Sequence, residues 1–105
     1  MIDIIKIGIL YDYYENLLTE RQRTILVMYL NENLSLAEIS EEVGITRQGA
    51  HDIISRTSAK LLEYEAKLKL LDKRNTNRKA VRDIIEDIET GRKAEAIEKV
   101  RKLVY

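Results

Sequence analysis

Arg47 and Gln48 stand side by side, and His51, Asp52 and Ser55 follow within the next turns of any helix that carries them. A guanidinium can donate two hydrogen bonds to guanine in the major groove, and a carboxamide can pair bidentately with adenine. With Thr46 they are the outward positions at the start of a helix, those that reach base edges and phosphates when such a helix lies in DNA. Arg56 and Lys60, a turn or more farther on, suit phosphate oxygens; Arg21 and Arg23 on an earlier segment suit the sugar-phosphate backbone. Asp52 works against them, because its charge repels phosphate even though it can accept from a cytosine amino group. Gly49 weakens the helix start by about 1 kcal/mol relative to alanine, while permitting close approach to a surface.

Other chemistries lack their residues. His51 is the one histidine and no cysteine is present, so a zinc site has no ligand set. Glu41–Glu42 and Glu86–Asp87 are neighbours along a helix, where adjacent side chains point apart and do not share a substrate. There is no glycine-rich phosphate loop. The residues argue for binding without a cofactor or metal, and against an enzyme.

Positioning these side chains takes two helices and a sharp turn. Ser35-Leu36-Ala37-Glu38 is a capping box opening a short helix whose Leu36, Ile39 and Val43 face inward, with Ser40 small enough for a close crossing. Gly44 falls where a left-handed cap is needed, Ile45 plugs the turn and Thr46 caps the next helix. Ala50, Ile53 and Ile54 face back onto the first pair. This is the helix-turn-helix pattern, with the turn at 44–46 and a recognition helix from 47.

Around it, Ile2, Ile5, Ile9, Tyr13 and Leu17 recur at helical spacing and predict a helix over 2–17. Thr19-Glu20-Arg21-Gln22 is a second capping box; the helix it opens carries Ile25, Leu26, Tyr29 and Leu30 inward. Ile54, Thr57, Leu61, Tyr64, Leu68 and Leu71 form a seam that extends the recognition helix to about residue 70. Asn75-Thr76-Asn77 reads as a turn and cap, followed by a helix with Val81, Ile84, Ile85 and Ile88 on one face and Gly91 at its end. Ala94, Ala96, Ile97, Val100 and Leu103 make a weaker last helix. The expected organisation is a helix-turn-helix domain over 1–71 and a helical extension over 72–105 used for packing or dimerisation.

The zero net charge hides an asymmetry: residues 1–45 carry eight acids and three bases, residues 46–105 ten acids and fifteen bases. Residues 47–82 alone hold ten bases against four acids, the local excess expected of a nucleic-acid binder. A solvated helical surface of alternating charge is the plainer explanation of the same run. The apolar run at 4–10 is too short for a membrane span and is interrupted by Lys6, so a cytoplasmic protein without membrane insertion is expected.

The segments LLTERQRTILVMYL and LSLAEISEEVGITRQGAHDIISRTSAKLLEYEAKL resemble the YlxM family, small bacterial helix-turn-helix proteins encoded beside the signal recognition particle GTPase. The likeness covers about residues 10 to 70 and extends to region four of bacterial sigma factors, which recognises a promoter element. It implies an all-α, sigma-region-four-like fold with a helical C-terminal extension, a homodimer, and a role in transcription regulation or the signal recognition particle pathway. Arg47, Gln48, Asp52 and Arg56 match the family's recognition-helix pattern; His51 stands where tyrosine is common and Gly49 where alanine is. Two functions follow as expectations: a regulator binding double-stranded DNA, or an accessory factor that binds the particle's GTPase or RNA without specific DNA binding. A structural dimerisation domain is a third.

Overall fold

Several helices begin where a short polar side chain takes up an amide that the helix itself leaves free. In the computed structural model, which describes residues 3–104, Asp3 caps α1 (Ile4–Tyr14) by accepting from the Lys6 amide at 3.1 Å. The helix tightens into a 3-10 turn, Glu15–Leu17, and so stops short of the expected 2–17; Ile2 lies outside the described residues. Thr19 and Gln22 form the reciprocal box that starts α2 (Glu20–Leu30). Ser35 and Glu38 do the same for α3 (Leu36–Val43). Then come α4 (Arg47–Leu68), α5 (Leu70–Glu89) and α6 (Lys93–Val104). The described residues form six α-helices and no strand, an all-α fold.

The chain divides into two units, one through residue 68 and one from residue 69. In the first, α4 is the common neighbour of α1, α2 and α3. Ile7, Leu10 and Tyr14 from α1, Ile25 and Leu26 from α2, Ile39 from α3, and Ala50, Ile54 and Leu61 from α4 are buried together. Removing each large apolar side chain from water contributes about 1.5–3 kcal/mol, so the early half of α4 is fixed by its inward row. The later half is tied by tyrosines. The Tyr14 hydroxyl donates to Glu65 Oε1 at 2.6 Å, and the Tyr64 hydroxyl donates to the Leu17 carbonyl at 3.3 Å.

The expected seam from Ile54 to Leu71 does not run in one helix. Ile54, Thr57 and Leu61 are buried and Tyr64 half-buried, but Leu68 is exposed and ends α4. Lys69 follows in a left-handed conformation, φ 55°, so Leu71 belongs to α5.

In the second unit α5 and α6 form a helical hairpin about Ile84, Asp87 and Ala96. Gly91 turns the chain at φ 81°, and the Arg92 amide donates to the Asp87 carbonyl at 2.7 Å. Asp87 is buried and its carboxylate meets Arg92 Nε at 3.0 Å and Lys99 Nζ at 2.6 Å. Asn75-Thr76-Asn77 corrects the sequence reading: it lies inside α5, not at a turn. Each of these residues costs only a few tenths of a kcal/mol in a helix, and the strong helix formers on both sides carry the helix through.

Candidate nucleic-acid interface

The turn between α3 and α4 is built by one backbone geometry and one hydroxyl. Gly44 sits at φ 78°, where glycine has no Cβ penalty, and both its own amide and that of Ile45 donate to the Ser40 carbonyl at 2.9 and 3.0 Å. At the start of α3, the Ser35 backbone amide and then its hydroxyl hold the Glu38 carboxyl below its ordinary pKa. Thr46 then caps α4, its Oγ1 accepting from the Gly49 amide at 2.9 Å. A Cβ on Gly49 would stand 3.1 Å from that same oxygen. The cap and the glycine are therefore packed against each other.

With Ala50 and Ile54 facing the core, the opposite side of α4 is turned to solvent. Thr46, Arg47, Gln48, His51, Arg56 and Lys60 are exposed and Asp52 is partly so. Gln48, Asp52, Arg56 and Lys60 stand four residues apart, in one row along the helix. Arg47 and His51 lie beside its first turns. Within the row Gln48 Nε2 donates to Asp52 Oδ1 at 2.9 Å, and His51 Nδ1 is 3.6 Å from the same oxygen. Gln48 is thus oriented before any ligand arrives, a contact the sequence reading lacked. The Lys60 ammonium lies 6.0 Å from the centre of the Tyr64 ring.

Two residues sit differently from expectation. Ser55 is half-buried and lines a groove with Asp3 and with Lys6 and Ile7 of α1, so it is set back from the exposed row. Arg23 donates through Nη1 to the carbonyls of Glu15 and Leu18, both at 3.3 Å, and clasps the corner between α1 and α2. Its Nη1 is engaged by carbonyls at a helix end and the residue is half-buried, whereas Arg21 is exposed. Among the described residues no cluster of three or more His, Cys, Asp or Glu could hold a metal ion, and no helix is long and apolar enough to cross a membrane.

Residues 2–103 match the family described as "Putative helix-turn-helix protein, YlxM / p13 like". A "UPF0122 protein" of Clostridium kluyveri is 39% identical over 103 residues, covering 95% of this chain and 93% of the relative. One from Clostridium novyi is 50% identical over 88 residues, covering 84% and 76%. One from Desulforamulus reducens is 39% identical over 102 residues, covering 94% and 87%.

Proposed function

The chain belongs to this YlxM/p13-like helix-turn-helix family, and on that footing we propose that it is a regulatory protein that binds duplex DNA with the exposed edge of α4. The carrying observation is the pairing of Arg47 with Gln48, both unburied, on the first turn of a helix that Gly44 and Thr46 set off from α3. A helix so presented enters the major groove by its N-terminal residues. Arg47 and Gln48 read bases, with Thr46 and His51 beside them, while Arg56 and Lys60 hold phosphates. Such a protein works in the cytoplasm by binding and carries out no reaction.

A library of random duplexes, selected for binding and sequenced, tests this. The native protein enriches a short site, and Arg47→Ala loses that preference while its helicity is unchanged. Undiminished preference in Arg47→Ala overturns the assignment.

A second reading draws support from Asp52 on the exposed row and from the zero net charge of the chain. Here the helix-turn-helix is a scaffold that docks the signal recognition particle's GTPase or RNA, since a fold alone does not fix function. Recovery of either partner from purified components, with no duplex DNA binding at two ionic strengths, selects it.

A further inference from the structure

Between residues 70 and 82 the helix α5 carries Lys73, Arg74, Arg78, Lys79 and Arg82 against the single acid Asp72. Arg74, Arg78 and Arg82 stand four residues apart and form one row, about 12 Å long at a rise of about 1.5 Å per residue. Ile84 and Asp87 turn a different side of α5 toward α6, Asp87 through its ion pairs with Arg92 and Lys99. Lys73, Arg74, Arg78 and Arg82 line one open hollow along α5 together with Asn75 and Asn77.

The row works against its own helix. Like charges four residues apart destabilise a helix by a few tenths of a kcal/mol per pair, and the row contains two such steps. Lys69 at the cap and Lys73 in the first turn add cations at the end whose dipole favours anions. Among the described residues no ion pair reaches Arg78, Lys79 or Arg82, although Asp83 and Glu86 stand one turn beyond Lys79 and Arg82. Whatever meets this row must bring negative charge, because taking an unpaired charge out of water costs several kcal/mol.

Cations spread over more than two turns suit an extended anion and not a single ion. Arginine pairs bidentately with phosphate, and asparagines are further donors to phosphate and sugar oxygens. An anionic membrane fits poorly, because α5 continues with Asp83, Glu86 and Glu89, which such a surface repels. We propose that the row is a sequence-independent site for the sugar-phosphate backbone of nucleic acid, with Arg78 and Arg82 at its centre. It is separate from the edge of α4 and holds whether or not that edge reads bases.

Fluorescence anisotropy of the full chain across a salt series tests it, with a random-sequence DNA duplex and an RNA hairpin as separate probes. Arg78→Gln/Arg82→Gln keeps its helicity and gives a slope of log affinity against log salt shallower by about 2. The probe that shows the change names the source of the backbone. Lys93→Gln/Lys102→Gln removes the same charge from α6 and leaves the slope as it was. The same difference persists in an Arg47→Ala background, so failure of the α4 reading and failure of this one are told apart. Equal slopes for native protein and Arg78→Gln/Arg82→Gln on both probes overturn the proposal. So does an equal change in Lys93→Gln/Lys102→Gln, or binding to neither probe, with or without retention on phosphatidylserine vesicles.

Discussion

Asp52 stands one helical turn beyond Gln48 and accepts from its amide, so one carboxylate orients the side chain proposed to read a base and, on that proposal, would bring negative charge toward phosphates. Asparagine keeps an acceptor oxygen for Gln48 and removes the charge. Unit charges about 4 Å apart in water interact by about 1 kcal/mol. Asp52→Asn is therefore expected to tighten duplex binding about fivefold at low salt, with the gain fading near 1 M, where the screening length falls to about 3 Å. Fluorescence anisotropy across a salt series measures it. A loss of affinity confined to sites with cytosine at one position would instead mean that Asp52 accepts from a base. The two glycines of the region separate in the same residue-by-residue way. Gly49 is a matter of crowding against the Thr46 oxygen, whereas a Cβ on Gly44 meets nothing within 4 Å.

Because Gly44 has room but a φ of 78°, Gly44→Ala isolates the backbone cost of the turn between α3 and α4. That cost is about 1 kcal/mol, or about 4–8 °C in the melting temperature of a domain this small, readable by circular dichroism; an unchanged midpoint would mean the turn tolerates other geometries. This turn was legible in the sequence, as were both capping boxes, because a cap is a local signal carried by residues three apart. The core-facing rows of α2, α3 and early α4 were legible from spacing, and with them the outward edge of Arg47, Gln48, Arg56 and Lys60. The end of α4 was not. Lys69 adopts its left-handed conformation with nothing in its side chain to announce it, and Asn75-Thr76-Asn77 drew attention to the wrong place. Residue type also could not tell that Arg23 serves carbonyls while Arg56 faces solvent. The Asp87 pairing between α5 and α6 was equally hidden, since its partners depend on how the hairpin closes. The hydrogen bond from Lys99, then that from Arg92, hold the Asp87 carboxyl below its ordinary 3.8 despite its burial. A carboxyl lowered on folding contributes stability that is complete above the unfolded value and lost as pH falls through the folded one. The hairpin is thus expected to loosen below about pH 4, and Asp87→Asn to weaken it at neutral pH while flattening that acid step. An acid transition of equal size in Asp87→Asn would assign it to other carboxylates.

At the scale of the whole molecule the acidic first part and the basic remainder cancel, so little long-range field would draw the chain toward DNA and the proposed affinity would rest on local contacts. Arg56 and Lys60 are the exposed cations of α4 that the proposed function gives to phosphates. Releasing one counterion per neutralised phosphate gives α4 a slope of log affinity against log salt of about −2 for each bound chain. Native protein is expected to give at least that slope, and Lys60→Ala one shallower by about 1 with the same base preference. Equal slopes for the two proteins would take Lys60 away from phosphate, and a slope near zero for both would remove DNA from the function of α4.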